Sequence, residues 1–255
     1  MRYAFGTTTI ASERLAKLAQ IFNPQSREFI AQHAKLPLVS AIDLGCGPGY
    51  TTKMLSFAVN AKEVYGFDNS EDFLVEASDM FTDCAFVMHD VTRIPFPVRG
   101  DLMYARFVLA HLQYPARQVN TWTDELNSGG TLCIEETEDI KTDIEVFNRY
   151  LEINRKLVAS QGANLFPGKQ LARGVYTGEV LTNEAVELPV SNCDAAAMFY
   201  PNTVSIWENN EENREISARL KEIMDSGDER KGIVWKMRRI AIRKKEHYPY
   251  LEMFI

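Results

Sequence analysis

The stretch DLGCGPG, residues 43–49, sets Gly45, Gly47 and Gly49 directly after the apolar run LVSAID and before a helix-forming segment. A backbone without Cβ atoms at such a place passes close beneath a ligand, so the spacing suits a cradle. A dinucleotide fingerprint, G-x-G-x-x-G, needs glycine at position 50, where this chain has Tyr50. The loop holds no lysine or arginine, which disfavours a phosphate. Asp68 ends the next strand-like run, VYGFDNS, where a carboxylate accepts hydrogen bonds from two ribose hydroxyls. Asp90, in VMHDVTRIPFP, stands where an acid receives an exocyclic amine such as that of adenine, and Val91 offers a flat apolar contact. Asp43, Asp68 and Asp90 thus lie at or beside three successive strand ends around one crevice, and a ring of acids suits a ligand carrying positive charge.

The elements that must position these residues alternate. LVSAID, EVYGFD, CAFVMHD, DLMYARFVL and TLCIEE read as strands, with helices over 50–58, 70–81 and 115–126 and a turn at Gly129 and Gly130. Five strands separated by helical crossovers predict a parallel sheet covered on both faces. Ahead of them, Ser12 caps a predicted helix over 12–22 whose apolar face carries Leu15, Leu18, Ala19 and Phe22, and Asn23 with Pro24 opens a second. Beyond residue 140 the pattern changes. Thr142 and Glu145 are spaced as a capping box before a long helix that ends ahead of Gly162. AVELPV then reads as a strand, 194–208 and 211–225 as helices, and GIVWKMRRIAI as a closing strand. The expected layout is a helical cap over 1–36 and an α/β domain over 37–255, with helical insertions at about 140–180 and 194–228.

A net charge of −7 over 255 residues argues against a sequence-independent grip on nucleic acid. The basic segment WKMRRIAIRKK reads as a strand with a solvated basic edge. Cys46, Cys84, Cys133 and Cys193 are far apart and form no C-x-x-C pair, so neither a metal site nor a disulfide framework is expected. No apolar run reaches the length of a membrane span, and MRYAFGTTTI lacks the apolar centre of a signal peptide. The expectation is a reduced, cytoplasmic protein with no membrane, metal or nucleic-acid partner.

The segments AIDLGCGPGYTT, VYGFDNS, HDVTRIPFP, DLMYARFVLAHL and LNSGGTLCIEE resemble the class I S-adenosylmethionine-dependent methyltransferases, most closely their small-molecule branch. The resemblance implies a Rossmann-like, doubly wound, mostly parallel seven-stranded sheet with an antiparallel last strand. It implies S-adenosyl-L-methionine as cofactor and S-adenosyl-L-homocysteine as product. Asp43, Gly45, Cys46 and Gly47 then line the methionine half, and Asp68 and Asn69 hold the ribose. Asp90 and Val91 hold the adenine, and the backbone of Ala105 and Arg106 lies beneath the methionine portion.

Methyl transfer from a sulfonium asks mainly for alignment and a dry cavity, with a base only for some nucleophiles. His111, after the fourth strand, is the candidate base; its alternative is a packed structural histidine. Arg106 either meets the cofactor carboxylate or pairs with an acid such as Asp101. Glu135 and Glu136 follow the fifth strand toward the same edge. The N-terminus and the late insertion supply aromatic residues: Tyr3, Phe5, Tyr150, Phe166, Tyr200 and Trp207 are the candidate acceptor wall, with Phe147 and Phe199 beside them. They favour a small, largely apolar or aromatic acceptor methylated on O, N or C. The competing readings are a scaffold that binds the cofactor for a non-methylating reaction, and an inactive partner subunit. Oligomeric state is left open.

Overall fold

The computed structural model describes residues 9–207 and 210–246. Its frame is one sheet of β1 (Ser40–Leu44), β2 (Glu63–Asp68), β3 (Ala85–Met88), β4 (Gly100–Arg106), β5 (Leu126–Thr142), β6 (Glu179–Val190) and β7 (Ile233–Arg243), in the order β3-β2-β1-β4-β5-β7-β6. The pairs β1–β2, β1–β4, β2–β3 and β4–β5 are parallel, whereas β7 runs antiparallel to both β5 and β6. The expected mostly parallel, seven-stranded doubly wound sheet is therefore present. The chain leaves β1 toward β2 on one side and returns as β4 on the other, which opens a crevice at the carboxyl ends of β1 and β4.

Alternation along the strands divides the core. Ile42, Leu44, Met103, Ile240 and Ile242 pack on one face with Trp122, Val119 and Phe96. Ala41, Leu102, Tyr104 and Ala241 face the other way, against Phe29, Ile30, Met54 and Leu55. The helices that cover these faces are α1 (Thr9–His33), α2 (Tyr50–Val59), α3 (Glu71–Met80) and α4 (Pro115–Glu125). A third core lies under α5 (Glu145–Ser160), α7 (Asn192–Ser205) and α8 (Glu211–Ser226), where Phe147, Phe199, Ile216 and Trp235 meet Phe22 of α1. The short α6 (Gly168–Ala172) bridges back to the first core through Leu171.

Several local expectations are corrected. α1 is one helix, with Pro24 inside it and Ser12 in its body. Its buried face continues from Ala19 and Phe22 to Ser26, Phe29 and Ile30, and that packing outweighs the roughly 3 kcal/mol cost of an interior proline. The Ser12 hydroxyl donates to Glu76 of α3 instead of capping. The Thr142–Glu145 capping box does not form: Thr142 belongs to β5, its hydroxyl donating to the Gly232 carbonyl at 2.8 Å and accepting from the Ile144 amide at 3.1 Å. Gly129 and Gly130 lie within β5. The basic run is an interior strand, β7. Lys236 pairs with Glu138 at 2.8 Å, Arg238 pairs with the same acid, and Arg239 pairs with Glu135 at 2.8 Å, so acids of β5 neutralise what the sequence presented as a solvated edge. All four cysteines are free thiols. Among the described residues no helix is long and apolar enough to cross a membrane.

Candidate active site

The loop between β1 and α2 folds onto β2. The amides of Gly45 and Cys46 both donate to the Phe67 carbonyl, at 2.7 and 3.0 Å, and Gly45, Gly47 and Gly49 all adopt positive φ. At the end of β2, Asp68 accepts from the Gly47 amide at 2.9 Å through one carboxylate oxygen and from the Ser70 amide at 2.9 Å through the other. Burial raises its pKa above the usual carboxylate value, opposed by the amide bonds of Gly47, Ser70 and Asn69. Gly45, Cys46, Gly47 and Pro48 line a cavity of about 250 Å³ together with Asp68, Asn69, Asp90 and Val91.

Two loop residues have other duties. Gly49 is absent from the cavity wall; a Cβ there would stand 2.9 Å from the Phe86 ring and 3.0 Å from Ala77. This glycine allows α2 to start in a left-handed turn and the loop to press against β3 and α3, which explains why it comes one residue early. Asp43 is also outside the cavity wall, contrary to the role expected of it. Its carboxylate is buried and accepts from the Thr51 and Thr52 hydroxyls at 2.6 and 2.8 Å, tying β1 to the first turn of α2. Burial pushes its pKa up to about 6 against those two bonds.

Asp90 keeps a low pKa: burial opposes ionisation, but the Thr92 hydroxyl and amide donate to it at 2.6 and 3.0 Å. Ala105 is fully buried in the sheet and does not reach the cavity. Arg106 does, yet its guanidinium donates to Ser26 at 2.9 Å and Asn23 at 2.8 Å, both on α1. The suggested Arg106–Asp101 pair is not made, because Asp101 receives the amides of Val39 and Ser40 and the Asn127 side chain. Arg106 instead fastens α1 across the end of β4.

The far half of the cavity is apolar. Leu15 and Leu18 of α1, Phe107, Ile140, Tyr150, Phe166, Phe199 and Trp235 line it, with Asn154 and Asn202. Tyr150 stacks on Phe199 with centroids 4.1 Å apart, and its hydroxyl accepts from Asn202 at 2.5 Å. Of the expected aromatic wall, Tyr150 and Phe166 line the space. Trp207 stands behind Tyr150 at 5.3 Å, Tyr200 packs against the third core, and Phe147 is fully buried. Tyr3 and Phe5 lie outside the described residues.

His111 sits on the 3-10 turn Leu109–His111 and lines the cavity. Part of its ring meets the open space, but protein surrounds it, and burial followed by the nearby Arg14 charge lowers its pKa to about 4. A neutral imidazole with so low a pKa is a weak base. Glu135 and Glu136 do not enter the cavity. Glu135 accepts from the Tyr104 hydroxyl and Arg239, each at 2.8 Å, while Glu136 accepts the Leu109 amide at 2.6 Å and anchors the turn that carries His111. Arg14, Phe107, Asn154, Asn202 and Trp235 were missed by the sequence reading. Arg14 carried a signal, since it is a charge four residues before Leu18 on the same apolar helical face.

The sheet order and the acid-tipped glycine cradle define a Rossmann-like methyltransferase fold. Residues 42–134 match the profile of a family described as "Methyltransferase domain". A trans-aconitate 2-methyltransferase of Agrobacterium fabrum strain C58 is 27% identical over 116 residues, covering 46% of this chain and 45% of that protein. The chain thus spans less than half the length of this curated relative. Coclaurine N-methyltransferase, solved with N-methylheliamine and S-adenosylhomocysteine, superposes with a TM-score of 0.55 at 14% identity over 87% of this chain and 72% of that one. The [4+2]-cyclase SpnF superposes with a TM-score of 0.56 at 16% identity over 88% and 82%. These two likenesses concern the fold. Residues 42–134 form a methyltransferase domain of the class I, S-adenosylmethionine-dependent kind.

Proposed function

We propose that this chain moves a methyl group from S-adenosyl-L-methionine to a small, largely apolar acceptor held beside it in the same cavity. The observation that carries the reading is the continuity of one cavity from the Gly45–Gly47 cradle and Asp68 to the aromatic wall of Tyr150, Phe166 and Phe199. Asp68 spends one lone pair of each oxygen on the loop, so lone pairs remain for ribose hydroxyls. Asp90 and Val91 suit an adenine, and the bare backbone at Gly47 leaves room above it, its nearest foreign atom standing 3.5 Å from a notional Cβ. When bound, the cofactor supplies an electrophilic methyl group together with its own leaving group.

The chain's part is alignment and the exclusion of water. Well-oriented reactants gain on the order of 7–11 kcal/mol from effective molarity, so a strong base is dispensable. α1, pinned by Arg106, roofs the cleft, and the aromatic wall supplies flat apolar contact. Curated relatives that match part of this chain are named for trans-aconitate. The mostly apolar wall supports a less polar acceptor for this chain, on an O, N or C atom.

Thermal melting with S-adenosylmethionine and S-adenosylhomocysteine tests the first half. A ligand at 100 times its dissociation constant adds about 2.7 kcal/mol, a shift of several degrees. Absence of any shift with either ligand refutes the reading. Transfer of a labelled methyl group across a panel of aromatic and aliphatic acids, phenols and amines tests the second half; binding without transfer across the panel points to a non-methylating scaffold.

A further inference from the structure

Three buried side-chain oxygens, on Thr131, Glu136 and Asn154, meet no donor among the described residues, and of these residues only Asn154 belongs to the cavity wall. Asn154 sits on α5, one helical turn beyond Tyr150, with 1% of its surface exposed. Its amide nitrogen donates to the Tyr150 carbonyl at 2.9 Å. A carbonyl only accepts, so the nitrogen must face it and Oδ1 must face elsewhere; the amide cannot be turned round. A buried amide oxygen without a donor is costly to keep, and protein closes every side of this residue except the one that borders the cavity. The donor it lacks must therefore come from what the cavity holds.

We propose that Asn154 selects the methyl acceptor by taking a hydrogen bond from an uncharged O–H or N–H group on its apolar body. This rests on the methyl-transfer reading and names the substrate class for it. The described wall around Asn154, with Tyr150, Phe199 and Trp235, carries no carboxylate; Asp68 and Asp90 belong to the end that suits the nucleoside. An alkylammonium buried there loses its hydration with no anion to offset the loss. A carboxylate brings no donor and sets its own lone pairs against Oδ1. An uncharged hydroxyl or aromatic amine meets the oxygen at neither cost. The flat surface beside Asn154 is fixed, since Tyr150 stacks on Phe199 and its hydroxyl is held by Asn202. A ring lying on that surface can turn one edge toward α5. The group bonded to Asn154 is then distinct from the atom that receives the methyl group, which lies toward the glycine cradle.

Calorimetry on the protein saturated with S-adenosylhomocysteine tests this with probes of closely similar shape: p-cresol, p-toluidine, p-fluorotoluene and p-methylbenzylammonium. The cresol and the toluidine are expected to bind at least about fivefold more tightly than the fluorotoluene, which has no donor, and the ammonium no more tightly than the fluorotoluene. Asn154→Leu, close in volume and without an acceptor, should bring the three uncharged probes within about twofold of one another and leave S-adenosylhomocysteine binding within about twofold of its original value. Retained binding of the fluorotoluene and of S-adenosylhomocysteine separates lost selectivity from poor folding. Asn154→Ala, which only removes atoms, gives the same readout should the leucine not be accommodated. A preference confined to the cresol or to the toluidine supports the proposal and fixes the donor as O–H or N–H. Equal binding of cresol, toluidine and fluorotoluene, tightest binding of the ammonium, binding of none of the four, or a donor preference that survives the loss of the Asn154 amide each overturns it. Failure of S-adenosylhomocysteine itself to bind is a different result, and removes the methyl-transfer reading.

Discussion

The Gly47 amide donates to the Asp68 carboxylate across 2.9 Å, so the glycine loop and the acid at the tip of β2 are one device. Deleting the acid removes more than the proposed ribose contact: it also takes away the carboxylate that holds the Gly47 and Ser70 amides of the loop. Asp68→Ala is therefore expected to weaken S-adenosylhomocysteine binding by about 2–4 kcal/mol, roughly 30-fold or more. Asp68→Asn, which keeps an oxygen for Gly47, should fall between the two. Calorimetric affinities that place Asn and Ala together would show that the loop bond is irrelevant.

The glycines should separate by function. Gly49 has φ near +84, and an added Cβ meets the Phe86 ring and Ala77, so Gly49→Ala combines left-handed strain with overpacking. A loss of about 2–4 kcal/mol in denaturant unfolding is expected. A Cβ at Gly47 would meet only Leu15 at 3.5 Å and Phe73 at 3.9 Å, ordinary contacts, so Gly47→Ala carries mainly the strain, about 1–2 kcal/mol, yet its methyl group enters the cradle. It should cost more in cofactor affinity than Gly49→Ala does, and chemical denaturation beside calorimetry on both variants reads the crossover.

The β1 loop and the alternation of strands were legible because each is a local signal: an apolar run, a turn chemistry, a helical period. What escaped depends on which partner a side chain meets once the chain has folded. Asp43 looks like a ligand acid until Thr51 and Thr52 are seen to occupy it. Pro24 marks a helix start by local rules, and only the continuous buried face of α1 carries the helix past it. Arg106 passes over Asp101, the partner the sequence offered within the protein, and bonds Asn23 and Ser26, which come from a helix some eighty positions earlier. Trp235, on the seventh strand, reaches the cavity only because β7 inserts between β5 and β6.

Glu136 makes stability depend on pH in a direction opposite to that of most carboxylates. Burial raises its pKa to about 8, against the amide bonds of Leu109, Val108 and Ala110 that favour its anion. In the unfolded chain it ionises at its ordinary value near 4.5, so between that pH and 8 the folded state holds a proton that the unfolded state has released. Its contribution to stability is present at low pH and is lost as pH rises through that window. Asp43, at about 6, acts in the same sense at lower pH, and His111, at about 4, acts in the opposite sense below its ordinary value of 6.5. Above pH 6.5 the Glu136 effect is therefore the dominant one of the three. Denaturant midpoints of the ligand-free protein should fall from pH 6.5 to 8, while Glu136→Gln, which keeps an oxygen for the Leu109 amide and has no proton to lose, should flatten that slope. A slope of equal size in both proteins assigns the pH dependence elsewhere.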